Sequence, residues 1–457
     1  GLVAFEKPRY SLMSSFHTLL YDTITIMKTF FLFIFIILLF QGCGETPTSD
    51  KNPNEAPPIT QISRALLVIQ LSYNDIQFTD SDPSVWANKI FGNAEGELNH
   101  FYAQNSQNLF SFIPVDETSS TINDGVMDVK LNKNHPNPEN NYRLLHPDFK
   151  QALTLLDSKI DFSTYDLDSN NALSSEELLI IFIVAGNEEA YGISTLPGVF
   201  AHQYCITGSD VAKLDNVTIM GCSSDGNYAV FGERHDNNRR NASIGIIAHE
   251  LGHAAFDLPD LYDTTPSTEP DSAGIGYFGL MSAGMWGTKA FGEPEGTSPA
   301  HMCAWSKIQN GWVEPELIDA ASALHVNLSE NSSDNYNVVK IPINDSEYFL
   351  LENRNNSGYD RGLFAIDGLF KGGMALWRVN ETIINSNKAS NTVNANKENK
   401  GLALIEANRA QLDISPYKHG HEKNLFYQSN RSNYHKDFIT IENISSRSEV
   451  MSATISK

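Results

Sequence analysis

Basic residues are scarce in this chain: 32 Lys plus Arg stand against 55 Asp plus Glu over 457 residues, a formal charge of -23. Such a surface repels polyphosphates and anionic headgroups, which excludes nucleic acid as a partner. Cysteine is nearly absent, at four residues, so disulfides cannot carry the fold. Long hydrophobic runs are also lacking. The longest near the N-terminus, Phe30 to Phe40, has eleven apolar residues, whereas a bilayer-spanning helix needs about 20. What is present is aliphatic and aromatic residues enough for cores, at 41% hydrophobic. The length favours two folded units behind a leader over one compact core.

The eleven-residue run follows Met27-Lys28-Thr29 and precedes Gln41-Gly42-Cys43-Gly44. A charged start, a short apolar stretch and small residues after it suit a secretory signal peptide. Gly42-Cys43 resembles a bacterial lipobox, which implies Cys43 as the lipid-carrying first residue of the mature protein. Gly44, where an Asp would favour the inner membrane, implies an outer-membrane lipoprotein held by its N-terminal lipid alone. Residues 1–26 read as upstream of the true start, 27–42 as the signal, and 43–61, rich in Pro, Thr, Ser, Asn and Asp, as a disordered tether. Of the other cysteines, Cys205 and Cys222 could pair in an oxidising compartment and leave Cys303 free. Spacing alone does not decide it.

The runs Ala65 to Leu71 and Leu178 to Val184 read as buried strands, and helical stretches around 98–107 and 149–158 lie between them. Ala242 to Phe256 is the best helix, with Asn241 placed to cap it. After Pro315 the texture changes to short strand-like runs separated by Asn, Ser, Gly and Lys: 337–343, 347–354, 373–379, 402–406, 438–444 and 450–455. The expected architecture is an α/β (α+β) domain over 62–315, followed by a β-rich module over 316–457. No internal repeat is visible.

His249-Glu250-Leu251-Gly252-His253 is an HExxH arrangement. Residues four apart share a helix face, so both imidazoles can reach one Zn2+ while Glu250 points at a water on it. A carboxylate there can act as general base. Downstream stand Pro259-Asp260-Leu261-Tyr262-Asp263, Gly279-Leu280-Met281-Ser282-Ala283-Gly284-Met285-Trp286-Gly287, Ala304-Trp305-Ser306-Lys307 and Gly311-Trp312. Together with HELGH these blocks resemble the immune inhibitor A family of secreted bacterial zinc metallopeptidases. Blocks at 98–112, 201–204, 347–354 with 358–360, and 373–379 extend the resemblance over roughly residues 64–457. It implies a metzincin-like zinc endopeptidase acting on protein or peptide substrates.

The third ligand is where the chain departs from related motifs. Phe256 occupies the position of a turn-forming Gly, and Asp260 lies seven residues after His253 instead of six. A helix one residue longer, turned by a left-handed Asp257, would restore Asp260 to the metal. Asp257, Asp263 and Glu293 are the reserves. Met281 resembles the methionine turn beneath the zinc, with Met285 the weaker choice, and Tyr277 and His301 are candidates for stabilising the oxyanion. Separately, Asp166, Asp168, Asn170 and Glu177 occupy positions one, three, five and twelve of an EF-hand-type Ca2+ loop, with Asn171 in place of its Gly. The rival reading is a surface-exposed binding lipoprotein that kept the fold without turnover.

Overall fold

The computed structural model describes residues 61–457 apart from 80–81, 119–120, 139–140, 193–196, 236–239, 266–270, 320–321, 415, 417 and 437. The signal, the tether and Cys43 lie outside the described residues. Among the described residues no helix is long and apolar enough to cross a membrane.

Strand β1 (Ile62–Ser72) founds the first sheet because its apolar residues are continuous and bury both faces. Leu66 and Val68 enter one core, and Leu67, Ile69 and Leu71 enter the other. It pairs in parallel with β2 (Phe110–Pro114), β3 (Val126–Lys130) and β4 (Leu178–Glu188), with Val68 opposite Ile181. Strand β4 also pairs with β5 (Gly198–Val199). Beyond β4 lie the parallel β9 (Tyr228–Arg234) and, at the edge, the antiparallel β6 (His202–Tyr204). A small hairpin, β7 (Ala212–Leu214) with β8 (Val217–Ile219), stands apart.

Helices cover both faces, as a parallel sheet requires. On one side α3 (His146–Leu156) buries Phe149, Leu153 and Leu156, and Phe149 stacks on Phe182 at 3.8 Å. On the other lie α1 (Pro83–Phe91), α2 (Leu98–Asn105) and α4 (Ile244–Phe256). Helix α1 is started by Asp82, whose carboxylate accepts from Ser84 N, with Pro83 at the first position.

After α5 (Ala304–Gln309) the chain forms a five-stranded sheet, in the order β10 (Glu316–Leu317), β12 (Val339–Pro342), β13 (Glu347–Arg354), β14 (Gly373–Asn380) and β15 (Leu402–Leu404), and a four-stranded sheet, in the order β11 (Leu324–Ser329), β18 (Val450–Ser456), β17 (Ile439–Glu442) and β16 (Tyr434–Lys436). The outer face of the five-stranded sheet packs on the four-stranded one. Phe349 and Leu351 of β13 (Glu347–Arg354) and Leu376 of β14 (Gly373–Asn380) meet Leu328, Ile441 and Met451 there. Its inner face, with Leu350, Trp377 and Val379, belongs to the same hydrophobic cluster as Leu251 of α4 and Trp305 of α5. One apolar cluster therefore runs from α4 into the C-terminal sheet.

Candidate metal centre and active site

Helix α4 carries HELGH in its second half. It begins at Ile244 after Ser243 and not at Ala242, and Asn241 does not cap it. The approach segment is committed elsewhere. Asn241 bridges to Arg234, and Ser243 N donates to His235 Nε2 at 2.6 Å. The first-turn amide of Gly245 is satisfied by Gly296 O at 3.0 Å. At the other end Asp257 takes φ 51 and ψ 34, the left-handed turn its position demanded, and its N–H bonds back to His253 O. Its side chain faces out and pairs with Lys388 at 2.7 Å.

That turn sends the chain back across the helix, and Asp260 arrives at the histidines. His249 Nε2 lies 3.1 Å and His253 Nε2 3.2 Å from Asp260 Oδ1, and the two Nε2 atoms are 3.2 Å apart. His249 Nδ1 donates to Leu280 O at 3.0 Å and His253 Nδ1 to Leu258 O at 2.5 Å. With each Nδ1 holding the proton, each neutral Nε2 presents a lone pair. Asp260 Oδ1 is buried without any other hydrogen-bond partner. Three acceptors thus converge on one point, an arrangement relieved by a bound cation or, without one, by a proton on His253, whose pKa Asp260 raises. Ligand atoms about 2.0–2.1 Å from a tetrahedral Zn2+ lie about 3.3 Å from one another, which these separations match, and two imidazoles with a carboxylate are a zinc donor set. The residues present fit that ion.

Burial opposes ionisation of Asp260, yet the two imidazoles hold its carboxyl well below the usual range. Burial likewise pushes Glu250 up, and the neighbouring histidines pull it down. Asp263, in reserve as a ligand, instead accepts from Thr265 N at 2.9 Å, and Glu293 accepts from Lys289 N and Ser298 Oγ. Neither joins the triangle.

Met281 lies beneath the helix between the two histidines: a Cβ built on Gly252 would stand 2.4 Å from its Sδ. Its carbonyl accepts Leu261 N at 2.7 Å, so the same residue supports the helix and the returning ligand loop. Met285 touches α4 at Gly245, two turns away, through its backbone oxygen.

The structure does not bring His301 to the triangle. It is fully buried, with Nδ1 on Asn105 Oδ1 and Nε2 on Ser332 Oγ, both 3.1 Å, and burial holds it well below its ordinary pKa. Both ring nitrogens are engaged, so it has none to offer an oxyanion. Tyr277 is half-buried and T-shaped against His419 with ring centroids 5.8 Å apart, its phenol pushed up to about 12 by burial and then by Glu295. Sequence reasoning missed three groups that do approach the centre. Tyr142 lies tilted against His202, ring centroids 4.2 Å apart, and its phenol is raised by burial and by the charges of Glu189, Glu250 and Glu188. Glu188, at the end of β4, is fully buried. Burial pushes it up to about 8 against three backbone donors, from Ala190, Gly232 and Ala201, with Glu250 adding to the rise. Tyr262 lies nearly parallel to His249 at 6.4 Å. Only Tyr262, inside the PDLYD block, carried any signal.

The second cluster brings carboxylate oxygens of Asp166, Asp168 and Glu177 within 4.8 Å of one another. Asp166 accepts from Asn170 N and Asn171 N, Asn170 Oδ1 from Ala172 N, and Glu177 from Leu167 N and Ser174 N. Asn171 adopts φ 65, the left-handed conformation its place in the loop requires. Ala172 then bridges to Thr218 of β8, in a segment closed by a Cys205–Cys222 disulfide, while Cys303 is free and buried.

Residues 72–313 match the family model described as immune inhibitor A peptidase M6, catalytic domain. No curated protein matches the chain.

Proposed function

The chain belongs to the immune inhibitor A peptidase family, M6, and on that premise we propose that this metallopeptidase is a zinc-dependent endopeptidase with Glu250 as general base. The observation that carries the metal is the convergence of three lone-pair donors, His249 Nε2, His253 Nε2 and Asp260 Oδ1, on one buried point. Held by these three residues, zinc would supply Lewis acidity, acidifying the attacking water and polarising a peptide carbonyl. Glu250, next to His249 and held in a low-dielectric wall with Glu188 behind it, takes the water's proton and returns it to the leaving amine. Peptides would lie extended along the edge of β6 that β9 does not pair with among the described residues.

Glu250→Gln tests the reading. The amide is close to isosteric and leaves both imidazoles in place, so zinc content stays at wild type. Cleavage of casein should fall by about 10²–10⁴-fold, the usual contribution of general-base catalysis. Equal activity in the two proteins would sink the assignment of Glu250. No observation at the site favours the non-catalytic alternative, since His249, His253 and Asp260 converge and Glu250 is retained between the two histidines in sequence.

The same proposal extends to calcium at Asp166, Asp168, Asn170 and Glu177, to a peptidase unit over 62–315 with a module over 316–457, and to an outer-membrane lipoprotein anchored at Cys43. The Cys205–Cys222 disulfide supports an oxidising compartment. Recovery of the full chain in the soluble fraction, with no acyl group on Cys43, would remove the anchor from the proposal.

A further inference from the structure

Two of the three metal ligands ride on a rigid helix. The third does not. Asp260 follows the left-handed turn in a stretch, 257–265, without regular secondary structure, and a ligand on such a segment needs an external support to hold its carboxylate still.

One side chain supplies that support, from 131 residues downstream. Asn391 Oδ1 accepts Asp260 N at 2.8 Å, and Asn391 Nδ2 donates to Asp260 Oδ2 at 2.6 Å. The amide thus grips backbone and carboxylate together, committing Oδ2 to the protein and leaving Oδ1 for the histidines. The opposite amide orientation would set donor against donor and acceptor against acceptor, so the contacts fix it. Asn391 is itself held. It sits at φ 53 after the short turn Lys388–Ser390, its N–H bonds Lys388 O at 2.9 Å, and its carbonyl accepts Thr264 Oγ1 at 2.6 Å. The surrounding segment grips the same loop again: Asn394 Nδ2 donates to Leu261 O and Thr265 Oγ1 to Ala395 O.

We infer that Asn391, which lies beyond the region matched to the catalytic domain, is a positioning residue of the metal centre that orients Asp260 and sets how tightly the metal is held. The inference rests on the reading of His249, His253 and Asp260 as zinc ligands. Without the amide, Oδ2 loses its donor and the carboxylate rotates freely. Outer-shell partners of metal ligands typically contribute about 10–100-fold in affinity, and a loss of that size is expected here.

The test is zinc affinity of the full chain, measured by competition with a chromophoric chelator, beside melting of the chelated protein. Asn391→Gly removes the amide while tolerating the positive φ. Asn391→Asp keeps the acceptor for Asp260 N but turns a second carboxylate on Oδ2. Both should bind zinc about 10–100-fold more weakly and release it faster to chelator. Their metal-free melting should stay near wild type, and saturating zinc should restore cleavage. Should Asn391→Gly not fold, Thr264→Val loosens Asn391 from behind and should weaken zinc in the same direction. If both Asn391 variants bind zinc as wild type while Asp260→Asn loses it, the inference is overturned and the ligand set stands. Equal destabilisation of the metal-free and zinc-bound forms would assign Asn391 a merely structural role and also overturns it. If wild type takes up no zinc, or Asp260→Asn binds it unchanged, the ligand reading itself has failed.

Discussion

At the scale of single residues the site is governed by which atom of each histidine holds its proton. Carbonyls of Leu280 and Leu258 take the Nδ1 protons and so aim both Nε2 lone pairs at Asp260. None of this is readable from HExxH, which gives spacing and says nothing of tautomer. The same rule of burial acts on His202 at the sheet edge. It is buried between Phe200 O and the Tyr228 hydroxyl, and desolvation holds it down to about 4, below the ordinary 6.5. The unfolded chain therefore binds more protons than the folded one between about pH 6.5 and 4, so this stabilisation is complete at neutral pH and lost as pH falls through that window. At roughly 1.4 kcal/mol per pH unit the loss is on the order of 3 kcal/mol. Thermal melts from pH 7 to pH 4.5 should fall steeply for wild type and less steeply for His202→Gln. Parallel curves would show that His202 does not titrate with unfolding.

Whole elements were legible where their apolar pattern was long. Leu178–Glu188 and the HELGH helix announce themselves, and Glu347–Arg354 reads as a strand from its ends inward. Strands of two to five residues, such as β2, β5 and β6, exist only because longer neighbours offer them a ladder, so no local pattern marks them. The helix start was misplaced for a similar reason, since partners distant in sequence claimed Ser243 and Asn241. Asp260 was legible only as one choice among several acids, and what brings it to the histidines, a turn at Asp257 and hydrogen bonds from Asn391, is contained in no motif. The acidic loop before β4 is legible from the spacing of its oxygen ligands. A cation bound only by the folded state stabilises it by mass action, so Ca2+ should raise the melting temperature. Asp166→Ala with Asp168→Ala should abolish the rise while zinc content holds. A rise that survives in the double variant would reduce the loop to an acidic turn.

For the molecule as a whole, the decisive contact is a buried charge network where the inner face of β13 meets elements that precede residue 315. Arg354 is fully buried and donates through Nε to Asp360 Oδ2 at 2.6 Å and through Nη1 to Phe278 O at 2.7 Å. Glu352 beside it accepts from the Trp377 indole at 2.8 Å, the Tyr336 hydroxyl at 2.6 Å and the Ala304 amide at 3.2 Å. Phe278 and Ala304 belong to the segment preceding residue 315, and Trp377 and Asp360 to the one after it. The network therefore joins chain segments that sequence texture alone would have separated. Burying four charged groups, counting Lys307 with its neutral partner Asn331, stabilises little by itself, because desolvation offsets most of the attraction. Breaking it is costly. Arg354→Ala leaves the carboxylates of Asp360 and Glu352 buried without their cation, which costs about 3–5 kcal/mol. Because the apolar cluster is continuous from Leu251 to Trp377, that loss should lower one shared unfolding transition and not split it into two. Denaturant unfolding followed by tryptophan fluorescence, and in parallel by release of bound zinc, should give coincident curves for wild type and for Arg354→Ala, the latter displaced to lower denaturant. A variant that keeps the zinc-release midpoint of wild type while its fluorescence transition shifts would mean that the C-terminal sheets unfold independently of the metal centre.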